Sequence, residues 1–114
     1  MTDKIVVLSS CDSEEHAAEL ARHLVEKRLA ACVSIVPGAR SIYRWKGKVE
    51  ESAEWVLIIK SRRDLFHGLR EELGKMHTYE VPEIIALPVV EGAENYLAWM
   101  DENLSPRMNT NEHG

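Results

Sequence analysis

One short segment, His77-Thr78-Tyr79-Glu80-Val81-Pro82-Glu83, concentrates the side chains best suited to chemistry. It places an imidazole, a phenol and two carboxylates in what we expect to be a loop, where functional groups usually lie. Imidazole and carboxylate are both reasonable ligands for copper or zinc, so His77 and Glu83 are candidate metal ligands. Two ligands do not complete a site. The alternative is that His77 ends a helix and Glu83 forms an ion pair.

Aromatic and basic residues on the predicted strands give a second group of candidates. Tyr43, Trp45 and Trp55 could line a ligand cleft, although aromatic residues on strands are more often core or interface residues. Lys60 follows an apolar strand. It is either an anion contact or a strand-end residue whose charged tip reaches water.

Sequence motifs of the common enzyme classes are absent. The chain has no Walker A loop, no Gly-x-Ser-x-Gly, no His-Glu-x-x-His and no Cys-x-x-Cys, and its two cysteines are not spaced for a zinc ribbon. An acylphosphatase would need a phosphate loop with glycine and arginine after the first strand, and Ser9-Ser10-Cys11-Asp12 has neither. We therefore predict that the chain is not an enzyme.

Length and charge limit the remaining classes. The 114 residues fit one domain, predicted over 1–104 and followed by a flexible polar tail over 105–114. With 14 basic and 19 acidic residues the chain lacks the cationic surface that nucleic acid binding requires. It has no apolar run of the ~20 residues that span a bilayer, and its apolar stretch at 5–8 is too short for a signal peptide. We expect a cytoplasmic protein without a nucleic acid or membrane partner.

Apolar patterning predicts the elements that must position the candidate residues. Helices are predicted to begin after Asp12 or Ser13, at a capping box formed by Ser61 and Asp64, and near residue 96. Pro37-Gly38 is predicted to be a turn, and the last strand, flanked by prolines, to lie at a sheet edge. Strands are predicted over 5–8, 31–36, 42–45, 55–59 and 83–87. This order indicates an α+β, ferredoxin-like β-α-β-β-α-β sandwich with an extra strand segment and a C-terminal helix.

The predicted strands are apolar on both faces. In this fold the helices cover one face of the sheet, so the other face of a monomer should be polar. Here residues 6, 8, 56, 58, 85 and 87 on that face are all apolar. A solvent-exposed apolar patch of this size is larger than monomers usually have, so we predict a homo-oligomer. The alternative is that the third helix covers part of the face.

Several segments, in the same order along the chain, resemble the CutA family of divalent-cation tolerance proteins. The resemblance covers about residues 4 to 104 and includes Ala30-Ala31-Cys32-Val33-Ser34-Ile35, Lys60 and Tyr96-Leu97-x-Trp99. Its most specific parts are Tyr-x-Trp-x-Gly at 43–47 and Tyr-Glu-x-Pro-Glu at 79–83.

The resemblance implies a ferredoxin-like subunit in a tight homotrimer of PII-like architecture. It also implies a link to copper and other divalent metals and residence in a bacterial cytoplasm. In the family the matching segments border the clefts between subunits, which assigns Tyr43, Trp45, His77, Tyr79 and Glu83 to such a cleft. With Lys60 these are the predicted site residues.

One departure from the family pattern concerns the metal. Copper coordination in the family draws on a cysteine at the end of the first strand and on a histidine just before the one that matches His77. This chain has Ser9 and Met76 there. Cys11 lies two residues from the first position, and Met76 could still ligate Cu(I).

Two functional hypotheses remain. The first is a non-enzymatic homotrimer that binds a divalent metal, copper or zinc for example, with His77 and Glu83 as ligands. The alternative is a PII-like regulatory protein that holds a small anionic metabolite in the intersubunit clefts against Lys60, Arg44 and the aromatic residues.

Overall fold

The computed structural model describes residues 1–107, which form a four-stranded antiparallel sheet with three helices. The sheet order is β2-β3-β1-β4, and the two main helices pack on one face, so the α+β, ferredoxin-like prediction is confirmed. The elements are β1 (Lys4–Cys11), α1 (Glu14–Glu26), β2 (Cys32–Trp45), β3 (Lys48–Arg62), α2 (Phe66–Met76), β4 (Ile85–Pro88) and α3 (Glu94–Asn103).

The first helix begins as its sequence predicts. The Ser13 hydroxyl accepts a 3.1 Å hydrogen bond from the His16 amide, which satisfies one of the free amides at the N-terminus of α1. Glu14 and Glu15 lie in the first turn, where the helix dipole favours negative charge. The apolar stripe of α1 then faces the sheet.

The start of the second helix differs from the prediction. Ser61 is still part of β3, and its hydroxyl donates a 2.6 Å hydrogen bond to the Leu29 carbonyl instead of capping a helix. A short 3₁₀ helix, Arg63–Leu65, leads into α2, which has no side-chain cap. The predicted capping box is therefore wrong, because sheet pairing continues through the serine.

The main core lies between the sheet and helices α1 and α2. Each fully buried leucine in it contributes ~1.5–3 kcal/mol, whereas a surface contact such as His23–Glu72 between the two helices adds little. Packing therefore holds the helices on this face. Its fully buried members include Val7, Leu20, Leu24, Leu57, Ile59, Leu69 and Leu73.

Two long strands replace three predicted short ones, 31–36, 42–45 and 55–59. Pro37-Gly38 is not the end of a strand but an irregularity within β2, where the pairing with β3 shifts between Val36 and Ala39. Gly38 has a φ of 84°, which glycine adopts without strain. β2 and β3 then continue to a two-residue turn at Lys46-Gly47, both with positive φ, as a type I′ hairpin requires.

The far parts of these strands project beyond the sheet as a two-stranded ribbon, residues 39–54. Strand β1 pairs with β3 only at residues 55–62, so residues 48–54 pair with β2 alone. An isolated two-stranded ribbon is marginally stable in water. The ribbon therefore gains stability from any element that packs on it.

The second face of the sheet is largely open in the single chain. The register places Leu8 beside Ile58 and Ile85, and Val6 beside Leu87, all on this face. Ile85 and Leu87 are 49% and 47% exposed. Helix α3 contacts one end of the face, where Asp101 meets Lys4 and Arg62 and where Tyr96 meets Cys32.

The last strand and the C-terminal residues complete the fold. Strand β4 lies at a sheet edge, as its flanking prolines predict. No helix among residues 1–107 is both long and apolar enough to cross a membrane. In the predicted tail, Ser105 donates a backbone hydrogen bond to Arg28 and Arg107 pairs with Asp3, and the rest, 108–114, lies outside the described residues.

Candidate functional site

A cavity of about 550 Å³ lies where the ribbon, the end of β1 and the 79–83 segment meet. Its volume is within the ~300–1,000 Å³ range of ligand pockets. Its lining combines aromatic rings, hydroxyls and three carboxylates: Ser10, Ser41, Tyr43, Trp45, Glu54, Tyr79, Glu80, Val81, Pro82 and Glu83.

The ribbon supplies one wall because of strand alternation. Ser41, Tyr43 and Trp45 are two residues apart on β2, so their side chains share one face. The register pairs Ser41 with Ser52, and Glu54 lies two residues further along the same face of β3. Each of these cavity residues is thus placed by the hairpin register that the Lys46-Gly47 turn sets.

Glu54 is the most buried charged group of the cavity. It is 7% exposed, and its two carboxylate oxygens accept 2.5 Å hydrogen bonds, one from the Ser41 hydroxyl and one from the Tyr79 phenol. Burial of the phenol, together with its hydrogen bond to Glu54 and the negative charge there, raises the pKa of Tyr79 well above its usual range. Tyr79 is therefore a neutral donor at any physiological pH.

His77 lies behind this wall with both ring nitrogens occupied. Its Nε2 is 2.7 Å from the Ser10 carbonyl oxygen, and its Nδ1 accepts a 3.1 Å hydrogen bond from the Tyr79 amide. Because a carbonyl only accepts, Nε2 must carry the proton and the ring is held in one tautomer. The ring also packs against Tyr79, with centroids 4.7 Å apart.

The structure brings together four of the six predicted site residues. Tyr43, Trp45, Tyr79 and Glu83 all line the cavity, whereas His77 does not. Within residues 1–107 there is no group of three or more His, Cys, Asp or Glu side chains that could hold a metal ion.

Lys60, the sixth predicted residue, lies on the open sheet face and not in the cavity. Its Nζ is 3.7 Å from Cys32 Sγ, which in turn is 3.7 Å from the Tyr96 hydroxyl on α3. The prolonged β3 strand explains the separation, since Lys60 and Glu54 are six residues apart along it.

Glu54 and Ser41 are site residues that the sequence reasoning missed. The one sequence feature that points to Glu54 is its spacing: Ser52 and Glu54 are two residues apart, so in a strand their side chains lie on the same face. That signal is weak without knowing that the strand extends past Trp55, and the contact with Tyr79 spans 25 positions of sequence.

A second, more open cavity of about 430 Å³ lies beside the start of α1. The Nε2 atom of His16 is buried there without a hydrogen-bond partner among the described residues, while its Nδ1 meets Glu19 at 3.1 Å. The lining residues are Asp12, Ser13, Glu15, His16, Glu19 and Thr78.

Comparisons with known proteins agree with the fold. A family model described as the CutA1 divalent ion tolerance protein matches residues 5–103. The divalent-cation tolerance protein CutA of Thermus thermophilus is 52% identical over 86% of this chain and 95% of its own length. The chloroplastic protein CutA of Arabidopsis thaliana is 46% identical over 84% of this chain, which spans 53% of that protein. A solved structure of the Thermus thermophilus protein superposes with a TM-score of 0.87 at 50% identity, covering 90% of this chain and 99% of that one.

Proposed function

The chain belongs to the CutA1 divalent ion tolerance protein family, and from that membership and the acidic cavity we propose that it is a homotrimer that binds divalent cations between its subunits. Membership confirms the family resemblance found in the sequence. It also confirms that the chain is a non-enzymatic tolerance protein.

The charge of the cavity is the observation that carries the proposal. Glu54, Glu80 and Glu83 line it, and no basic side chain is among its lining residues. Glu54 is buried and has no cationic partner among residues 1–107, so a cationic occupant would offset the cost of its charge, and the exposed Glu80 and Glu83 add negative potential. The sequence-based alternative, an anionic metabolite held by Lys60 and Arg44, is disfavoured in this cavity because neither residue lines it.

The incomplete packing of the single chain supports the oligomer. The open sheet face exposes Ile85 and Leu87, and within residues 1–107 the two strands of the ribbon pair only with each other. Both features are covered most simply by identical subunits. Light scattering with size separation should give about three times the 13.0 kDa chain mass, and a value near one chain mass at micromolar concentration would contradict the oligomer.

Glu83 and His77, the two proposed metal ligands, differ in how accessible their donor atoms are. Glu83 is exposed and lines the cavity, so its carboxylate is free to coordinate. His77 must release the Ser10 carbonyl before Nε2 can bind a metal. A neighbouring subunit would supply the remaining donors, since four ligands are usual for zinc.

Calorimetric titration of the chelator-treated protein with Zn²⁺ and with Cu²⁺ tests this assignment. We expect Glu83→Gln to weaken binding by about tenfold or more, which corresponds to the loss of one charged ligand. Glu71→Gln, an exposed change on α2, is the matched control and should leave the isotherm unchanged. Identical isotherms for the wild type and Glu83→Gln would remove Glu83 from the site, and the same result for His77→Ala would remove His77.

The cytoplasmic location stays a prediction. The name of the Arabidopsis thaliana relative assigns that protein to the chloroplast, and the Archaeoglobus fulgidus protein is named periplasmic, so these two relatives differ in compartment. Fractionation of the native host cells, with detection of this chain by antibody, would decide the compartment.

A further inference from the structure

Glu54 is a buried carboxylate without a cationic partner in the described chain. Its only side-chain partners are the hydroxyls of Ser41 and Tyr79, and none of the ion pairs among residues 1–107 includes it. A carboxylate has about four lone-pair sites. The two hydroxyls therefore leave acceptor capacity on the carboxylate of a residue that is only 7% exposed.

The walls next to this charge are aromatic. Tyr43 and Trp45 line the same cavity and are 43% and 38% exposed, so part of each side chain is accessible. The Trp45 ring already attracts one cation, since Lys46 Nζ lies 5.7 Å from its centroid. Aromatic faces stabilise ammonium groups in this way, and more strongly where water is excluded.

A buried carboxylate beside aromatic rings suits an organic ammonium ion better than a bare metal ion. A bare divalent metal needs several oxygen or nitrogen ligands, and no group of three such side chains forms within residues 1–107. An alkylammonium ion needs only one carboxylate for its N–H donors and an apolar surface for its alkyl part. Val81 and Pro82 add apolar surface to the lining of the cavity.

We infer that the cavity binds a small organic amine in its ammonium form, with Glu54 as the counter-ion and Tyr43 and Trp45 as the aromatic wall. The ammonium N–H groups donate to the lone pairs of Glu54 that Ser41 and Tyr79 leave free. The alkyl chain lies along Val81 and Pro82, and in a diamine the second ammonium reaches the carboxylates at the rim. This inference rests on the cavity assigned in the proposed function and adds a second class of ligand to it.

Titration with 1,4-diaminobutane and butylamine, in buffer that contains a chelator and little salt, tests the inference on the full chain. Both amines should bind the wild type, and 1-butanol, which has the same shape without the charge, should not. Glu54→Gln keeps the size of the side chain but removes its charge and replaces one acceptor oxygen by an NH2 donor. It should weaken amine binding by at least about tenfold, the minimum expected for a buried charge pair. Glu51→Gln removes an exposed charge of the same ribbon that is paired with Arg40, and it should have no effect.

A second variant keeps the test decisive if Glu54→Gln fails to fold. Trp45→Leu alters a partly exposed ring and should weaken binding by about two- to fivefold through loss of the cation–π contribution. Absence of amine binding to the folded oligomer would overturn the inference, as would equal affinity in Glu54→Gln or equal binding of 1-butanol. Because the chelator removes metals, amine binding without Zn²⁺ or Cu²⁺ binding would contradict only the metal proposal, and the reverse result would contradict only this inference.

Discussion

The Tyr79 phenol donates a 2.5 Å hydrogen bond to the Glu54 carboxylate, and this contact joins the 77–83 segment to the ribbon. Tyr79 is fixed from behind by the amide hydrogen bond to His77, and Glu54 is fixed from the other side by Ser41. The two walls of the cavity thus share one hydrogen-bonded chain. Loss of any member should loosen the cavity as well as the fold.

Replacement of Tyr79 by phenylalanine should destabilise the protein. The change removes a donor from a buried carboxylate, and an unsatisfied buried charge costs about 1–3 kcal/mol or more. Urea unfolding at a fixed protein concentration measures the effect. Tyr43→Phe is the matched control: its hydroxyl bonds to Ser52 in an exposed part of the ribbon, and its loss should cost about 0.5 kcal/mol or less. Equal effects of the two changes would contradict the special role of the Tyr79–Glu54 contact.

Acid should weaken the attachment of the N-terminus and α3. Burial opposes ionisation of Asp3, but the hydrogen bonds and charges of Lys4 and Arg107 outweigh it and lower its pKa to about 2. Burial likewise opposes ionisation of Asp101, and hydrogen bonds from Arg62, Lys4 and Arg107 lower the pKa of that carboxyl. Both pKa values lie below the unfolded value, so the folded chain binds fewer protons. The stabilisation is therefore complete above about pH 4 and is lost as the pH falls toward 2.

Urea midpoints measured from pH 6 down to pH 2.5 check this dependence. The wild type should lose stability steadily below pH 4, and Asp101→Asn should start lower and show a flatter profile. Glu26→Gln, at an exposed end of α1, should keep the wild-type slope. A slope in Asp101→Asn as steep as that of the wild type would show that other carboxyls cause the acid effect.

The same substitution at two glycines should have opposite effects. Gly47 has a φ of 82° in the ribbon turn, and Gly74 has no positive φ within α2; an added Cβ meets no atom within 4 Å at either position. Gly47→Ala should therefore cost ~1–2 kcal/mol through backbone strain alone, and Gly74→Ala should stabilise by ~0.5–1 kcal/mol. Thermal unfolding of the two variants measures both signs. A stabilising Gly47→Ala would contradict the type I′ turn.

A charge in the centre of the open sheet face should break the oligomer. Ile58 lies beside Leu8 on that face and is not part of the main core, so Ile58→Glu should leave the subunit folded and lower the molar mass. Light scattering and circular dichroism together separate dissociation from unfolding. Val90→Glu, an exposed apolar residue outside the sheet, should keep the wild-type mass. Unchanged mass in Ile58→Glu would place the interface elsewhere.

Local sequence patterns predict many elements of the fold. The Ser13 cap, the apolar stripes of α1 and α2, and the edge position of β4 depend on neighbours within a few residues, and the sequence predicts them. Pro37-Gly38 and Ser61 were misassigned because the pairing partner, not the local sequence, decides whether a strand continues through them. Strand ends are in general set by tertiary pairing.

The residues of the candidate site likewise fall into those that local sequence predicts and those that depend on tertiary pairing. Tyr43, Trp45, Tyr79 and Glu83 were predicted from the family resemblance and the loop composition, and they do share one cavity. Glu54 is an acidic residue in a charged stretch, and nothing local to it indicates burial. Its role becomes visible only when the ribbon register and the Tyr79 contact are known.

Crystals soaked in Zn²⁺ and measured at the zinc absorption edge would test the central claim, that the acidic cavity is the cation site, most directly. We predict an anomalous peak within coordination distance, ~2.0–2.2 Å, of the Glu83 carboxylate, with further ligands from a neighbouring subunit. A peak only in the second cavity beside Asp12 and Glu19, or no peak at a saturating concentration, would contradict the account.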